Sequence, residues 1–375
     1  MASWRPVRVA LCAPYDVDLI AGVSEFVREL RRALQAAGDS VEVFTPDMFE
    51  ELSRMPNGFR NALLSVRTFV AILRSPAPWS AVHVNQPHAQ AVAALLAARI
   101  RGVNGVATIH SPFPPGRSGL HALMQRIHHR LVMRLADVVV FVAAALRRDL
   151  GRPDDRVIYI APSEWYLSAA PRTRPLDPGG VTILFVGRQT RSKGFFDLMD
   201  VIETLSAGPL RDRFRLRLVG QSTPEETAEK EARLRRLGNR VEDTGPVKEH
   251  AQLLSVYQSS DVIVLPSYRE GLPLVLVEAM AVGCVPVATA IDGIPELVAP
   301  GVSGWLVPPG DRAALLAALE SAIGRPEELG RRSVRAAETV RARFRSERTA
   351  DRYRSLYARV EGSLRSGETG LAEQG

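Results

Sequence analysis

Cysteine is nearly missing from this chain: Cys12 and Cys284 are the only two among 375 residues, and both stand in apolar strand-like or helix-end surroundings. Neither has metal-ligand spacing, so a disulfide framework and a zinc site are excluded and buried reduced thiols are expected. Lysine is almost as scarce. Lys193, Lys230 and Lys248 stand against 45 arginines, so the formal net charge of +7 is carried by guanidinium groups. Aromatic residues make up only 6% of the chain and are scattered, which argues against the stacking platforms of a nucleic-acid binder. Apolar runs such as AVAALLAA are far too short to span a membrane. The opening segment MASWRPVRVALCAPYD passes directly into a strand pattern without leader character, so a cytoplasmic protein is expected.

What is there is a globular composition, 46% hydrophobic and 24% charged, on a chain long enough for two domains with separate cores. Short β-branched runs alternate with amphipathic stretches from end to end. VRVALC, VEVFTP, AVHV, GVATIH, DVVVF and RVIYI read as strands of a first half, with helical patterns over 25–37, 89–101 and 120–135. TILFVG, RLRLVG, VEDTG, DVIVLP, VPVAT and GWLVPP repeat the alternation in a second half. Such alternation implies parallel sheets with right-handed crossovers. SAAPRTRPLDPGG (168–180) concentrates proline, glycine and small residues and reads as a linker, which sets the domains at 1–170 and 171–344. Two Rossmann-like α/β sheets facing each other across a cleft are the expected architecture. Arginines in segments such as VRELRRALQ are interleaved with acids and read as solvated helix faces; the other reading is attraction to a phosphate-rich partner or an anionic membrane. The tail GETGLAEQG reads as disordered.

Two loops carry the chemistry. VGRQTRSKG (186–194) follows the first strand of the second half and holds Arg188 and Lys193 in one strand-to-helix loop, flanked by Gly187 and Gly194. Two fixed cations on a loop that glycine lets fold closely suit a diphosphate. In a chain that uses arginine nearly everywhere, the lysine marks a point-charge contact. YREGLPLVLVEAM (268–280) sets Glu270 and Glu278 eight residues apart in an otherwise apolar run. Gly271 permits a close backbone approach, and Pro273 suits the first helical turn, which places Glu278 about two turns into the helix. Loops at the carboxyl ends of parallel strands bind ligands, and helix starts favour anions. A phosphate would not be set against two carboxylates, so Glu270 and Glu278 are expected to accept hydrogen bonds from sugar and ribose hydroxyls. A solvated basic loop and an exposed, unpaired helix carboxylate are the plainer alternatives.

GRxxxxKG, E-G-x-P-x-x-x-x-E-A, DGIPELV and SGWLVPPGD, in that order between Thr182 and Asp311, resemble the C-terminal half of a family 4 glycosyltransferase, whose architecture is the GT-B fold. The resemblance implies retaining, metal-independent sugar transfer from a nucleotide-diphosphate donor to an acceptor hydroxyl, with the nucleotide sugar as co-substrate and no cofactor. It implies that Arg188 and Lys193 bind the diphosphate and stabilise the leaving group. Glu270 and the backbone N–H groups of Gly271 and Leu272, beside Pro273, would hold the donor sugar, and Glu278 would accept from the ribose. Val247, Lys248 and Glu249 fall in the base-binding loop. In the first half, AGVSEFVRELRRAL (21–34) resembles the family's glycine loop and first helix, with Gly22 for backbone contact and Ala21 in place of a first glycine. His110, in TIHSPF, matches the histidine near the anomeric centre. Front-face attack with the leaving phosphate assisting deprotonation, domain closure, and a C-terminal helix near 345–365 crossing back to the first domain are also implied. UDP is the first expectation for the nucleotide and GDP the second.

Two departures stand out. APSEWY (161–166) occupies the place of a Pro-Asn-Gly-Val-Asp-like turn. D-x-D at Asp16–Asp18 resembles the metal motif of the other large glycosyltransferase fold, but the first loop of a parallel sheet is the wrong setting, and loop solvation is its reading. Other functions fit parts of the pattern: a sugar-nucleotide epimerase or hydrolase on the same fold, which needs acid–base groups beyond His110, or a basic nucleic-acid-binding protein. The acceptor is expected at the first domain. There FPPGRSGLHALMQRIHHRLVMRLAD (113–137) is basic and amphipathic, either a core-packing helix or an acceptor-side helix at the inner membrane surface, suited to a lipid-linked acceptor.

Overall fold

The structure, a computed structural model, describes residues 6–14, 22–46, 57–112, 119–171 and 180–363. Asp16–Asp18, Ala21, residues 113–118, most of the linker and the C-terminal tail lie outside the described residues. The chain divides into two compact units, one of 1–142, 147–159 and 346–375, the other of 143–146 and 160–345.

In the first unit, β1 (Arg8–Cys12), β2 (Ser40–Phe44), β3 (Ala81–Asn85), β4 (Asn104–Ile109), β5 (Val138–Phe141) and β6 (Arg156–Val157) form a parallel sheet in the order β2-β1-β3-β4-β5-β6. Strands covered on both faces need no polar alternation, which is why β3 and β4 are buried from end to end. Helices α1 (Gly22–Ala36), α2 (Asn57–Arg74), α3 (Ala89–Ile100) and α4 (Leu120–Leu135) connect the first five strands, and α5 (Ala144–Leu150) follows β5. One core joins the inward sides of α2, α3 and α4, through Ile72, Leu95 and Val132, to Ala10 and Val84 of the sheet.

In the second unit, β7 (Val181–Val186), β8 (Phe214–Val219), β9 (Val241–Asp243), β10 (Val262–Leu265), β11 (Val285–Thr289) and β12 (Trp305–Val307) form a parallel sheet in the order β12-β11-β10-β7-β8-β9. It carries α6 (Glu164–Ser168), α7 (Phe195–Ala207), α8 (Pro224–Leu237), α9 (His250–Gln258), α10 (Leu274–Ala281), α11 (Arg312–Gly324) and α12 (Pro326–Arg343). Phe185, Phe195, Leu216 and Leu319 lie at its core.

The final helix, α13 (Ser346–Ser363), belongs to the first unit and packs on α1. Its Tyr353 and Tyr357 are fully buried. His83 Nδ1 lies 2.7 Å from the Tyr357 hydroxyl and Nε2 2.7 Å from Thr108 Oγ1, which in turn meets the Tyr353 hydroxyl at 2.9 Å. An ion pair from Arg354 to the buried Asp39 at 2.7 Å adds to this attachment.

The unit boundary differs from the linker expectation. It falls between Tyr159 and Ile160, ahead of the proline-rich segment, because α6 docks on the second unit. Tyr166 is fully buried there, edge-on to Tyr257 with ring centroids 5.6 Å apart, and its hydroxyl meets His250 Nδ1 at 3.1 Å. A short excursion at 143–146 also joins the second unit: the N–H groups of Ala144 and Ala145, opening α5, donate to the Glu296 carboxylate at 2.9 and 2.8 Å.

Candidate active site

Strand order reverses in each sheet, and the connections on either side of a reversal leave the sheet in opposite directions and open a crevice at the strands' carboxyl ends. In the second unit the reversal lies between β7 and β10. The loops that leave these two strands are those of Arg188 and Lys193 and of Glu270.

After β7 the backbone turns at Gly187 (φ +144°), passes through a single 3-10 turn over Arg191–Lys193 and enters α7 at Gly194 (φ +66°). A Cβ on Gly194 would sit 1.9 Å from the Pro266 carbonyl oxygen, so only glycine lets this loop lie against the end of β10. The Tyr268 N–H donates to the Ser192 carbonyl at 3.1 Å, tying the loops together. Lys193 Nζ then reaches Glu270 Oε1 at 2.6 Å, and that oxygen also accepts from Ser267 Oγ at 2.8 Å. Arg188 is exposed and makes no side-chain hydrogen bond or ion pair among the described residues.

DGIPELV braces the same place. The Glu270 N–H donates to Asp292 Oδ2 at 2.7 Å, with Asp292 itself in the left-handed region at φ +44°. The Gly293 N–H donates to the Gly271 carbonyl at 3.1 Å, and a Cβ on Gly293 would be 2.4 Å from that oxygen. Leu272 and Pro273 are buried, and Pro273 is the residue before α10 rather than within its first turn. Because α10 starts at Leu274, Glu278 lies about one turn in, not two.

Glu278 is not the exposed, unpaired carboxylate of the plainer reading: it is 3% exposed and its Oε2 accepts from the Tyr257 hydroxyl at 2.8 Å. Burial, with the Glu278 charge beside it, pushes the Tyr257 hydroxyl well above its ordinary pKa, so it stays a donor. Tyr257 is held in turn by Tyr166 of the APSEWY segment, which places this chain's departure from the family turn one ring away from Glu278. Tyr257 and Tyr166 escape sequence reading because an isolated tyrosine on a helix reads as core.

Val247, Lys248 and Glu249 form the loop between β9 and α9, with Lys248 and Glu249 exposed. Nearby, Lys230 Nζ bridges Gln189 Oε1 and Asp243 Oδ2, each at 2.9 Å, fixing the buried Gln189 next to Arg188. Two of the three lysines, Lys193 and Lys230, therefore make specific contacts within the protein.

In the first unit the reversal lies between β1 and β3. Gly22 opens α1 and is exposed. Glu25, one turn in, is buried; burial pushes its carboxyl up to about 7, with Arg28 at 3.0 Å partly opposing the shift. His110, at the end of β4, is 7% exposed and packs edge-on to Phe26 at 4.8 Å. Asn85 Nδ2 donates to the Cys12 carbonyl at 3.2 Å, which turns Asn85 Oδ1 toward His110 Nε2 at 3.0 Å. Nε2 therefore carries the proton, and Nδ1 is a buried acceptor without a partner among the described residues.

Burial lowers the pKa of His110 and of His83 to about 3. The unfolded chain titrates near the ordinary value of about 6.5, so as pH falls from there toward 3 it binds protons that the native state refuses. Stability present above about pH 6.5 is lost on acidification, by about 2 kcal/mol per histidine at pH 5. The melting temperature should fall between pH 7 and pH 5, and fall less steeply in His110→Asn; equal slopes in the two proteins would contradict a buried neutral imidazole.

Among the described residues no cluster of histidine, cysteine, aspartate or glutamate could hold a metal ion, and no helix is long and apolar enough to cross a membrane. Residues 170–339 match the family described as Glycosyl transferases group 1, and residues 20–162 match Glycosyltransferase Family 4. The chain is similar to a phosphatidyl-myo-inositol mannosyltransferase of Mycobacterium leprae, 27% identical over 89% of this chain and 92% of that protein. Among solved structures it is similar to a sucrose-phosphate synthase from Thermosynechococcus elongatus (TM-score 0.75, 22% identity, 95% of this chain and 100% of that one). It is also similar to Anabaena HepE in complex with UDP (TM-score 0.70, 20% identity, 94% and 100%). The two sheets and these matches define a glycosyltransferase of the GT-B fold. The chain belongs to glycosyltransferase family 4.

Proposed function

We propose that this enzyme moves a sugar, with retention and without a metal, from a nucleotide-diphosphate donor to an acceptor hydroxyl on a small molecule, lipid or glycan. The observation that carries the reading is the meeting of two loops at the β7/β10 reversal, which sets the exposed Arg188 and the Lys193–Glu270 pair beside the start of α10. Arg188 and Lys193 take the diphosphate, offsetting the charge that grows on the leaving group as the glycosidic bond breaks. Glu270, released from Lys193 by the competing phosphate, accepts from donor-sugar hydroxyls together with the backbone N–H groups of Gly271 and Leu272. Glu278, steadied by Tyr257, accepts from the ribose, and Val247, Lys248 and Glu249 flank the base. On the family resemblance, the neutral His110 is assigned to the sugar near its anomeric centre, where Nδ1 can accept from a hydroxyl. The acceptor oxygen attacks from the leaving-group face and the departing phosphate takes its proton.

UDP is the first candidate, in keeping with the HepE–UDP complex, and GDP the second. A nucleotide held at 100 times its Kd adds about 2.7 kcal/mol of stability, several degrees of melting temperature. UDP, GDP, ADP and dTDP should therefore separate clearly in a thermal-shift experiment, with one raising the melting temperature and Glu278→Gln diminishing that rise. If none of the four shifts the protein, the donor site as drawn does not exist.

A further inference from the structure

The interleaving of arginine with acid that holds elsewhere fails over one long stretch. Residues 52–136 contain ten arginines and no aspartate, glutamate or lysine. Arginine is not enriched there; the positive charge comes from the missing acids. In the first unit this stretch supplies β3, β4 and the three helices α2, α3 and α4, whose inward sides share one core and whose outer sides form one layer surface.

That surface is also where apolar side chains are exposed. Eight of the twelve large hydrophobic residues exposed among the described residues lie on α2, α3 and α4. Four are on α4: Leu123, Met124, Ile127 and Leu131. At about 100° per residue these four and the exposed Arg126, Arg130 and Arg134 fall within one arc of about 160°. None of the three arginines has an ion-pair partner among the described residues. A helix that only packs into its own core would turn these side chains inward; α4 does so with Val132, whereas Leu123, Met124, Ile127 and Leu131 stay 37–53% exposed.

We infer that the outer face of α2, α3 and α4 docks on an anionic lipid surface, with the aliphatic side chains entering the headgroup region and the arginines held at the phosphates. Charge chooses the partner: α2, α3 and α4 carry arginine and no acid, so their outer face repels cations and attracts anions. Chemistry then separates bilayer from nucleic acid, since the exposed apolar groups are aliphatic apart from Phe59, and stacking on bases requires aromatic rings. The inference goes beyond the transfer reaction and does not depend on it.

Flotation of the full chain with vesicles of phosphatidylcholine, alone or mixed with phosphatidylglycerol, tests the proposal. The protein should float with the mixed vesicles, remain behind with phosphatidylcholine alone, and detach as salt is raised. Arg126→Gln, Arg130→Gln and Arg134→Gln combined should lower partitioning roughly 100-fold, and Leu123→Ser with Ile127→Ser should lower it comparably. All these positions are exposed, so melting temperatures and any nucleotide-induced shift should match the wild type, which separates failure of docking from failure of the donor site. Absence of flotation at low salt, equal flotation by the variants, or displacement from vesicles by equimolar DNA would each overturn the proposal.

Discussion

Lys193→Ala should lower kcat/KM for sugar transfer by about 100- to 1000-fold, the loss that follows removal of one preorganised group from a developing anion. The lysine is held at 2.6 Å from Glu270 on a loop that Gly194 seats against Pro266, so its charge is in place before a donor arrives. Its removal also strands Glu270, whose side chain is only 10% exposed, beside Ser267. Some stability is therefore lost along with activity. Lys193→Ala combined with Glu270→Gln separates the two effects: stability should recover while kcat/KM stays low. Arg188→Ala, with no partner to strand among the described residues, should lose activity without a change in melting temperature. If Lys193→Ala retained kcat/KM within tenfold of the wild type, the diphosphate would have to be held elsewhere.

Tyr353→Ala should destabilise the first unit by about 3–5 kcal/mol, the range for deleting a buried aromatic ring. Its ring stacks on His83 at 5.0 Å and lies 5.6 Å from Phe26, which packs on His110. Truncation would open a cavity shared by α1, α13 and the sheet. Tyr357→Phe keeps the ring but leaves His83 Nδ1 unsatisfied in a site with no access to water, at about 1–3 kcal/mol. Urea denaturation followed by the near-ultraviolet signal would measure both. Values below 0.5 kcal/mol would mean that α13 contributes little to this core.

The fold was legible because its period signals are strong. Every strand named from the sequence is present, since apolar runs such as Val262–Leu265 have no polar residue to mislead. β6 keeps only two of its five expected residues. At the site, the Gly-flanked cationic loop and the Glu270 loop could be read from residue type alone, because glycine and scarce lysine are chemically specific. Their brace could not: Asp292 and Ser267 act through a backbone N–H and a short hydroxyl bond that only the folded loops bring into range. The point where the two units divide is hidden from composition for a similar reason. Composition marked 168–180 as a linker, but the burial of Tyr166, which decides where the second unit begins, depends on His250 and Tyr257 far along the chain.

The division of the chain also decides how it can be cut. The first unit is completed only by α13, so the bulk of the second unit, 160–345, is an insertion within it rather than an appendage to its end. Expressing 1–159 alone would leave Phe26 and His83 without the tyrosines that cover them, whereas 160–345 would lack only the four-residue excursion at 143–146. Exchange of parts with a relative should therefore respect two junctions, near Tyr159 and near Arg345. A chimera joined once, in the proline-rich segment, would inherit a first core sealed by a foreign helix.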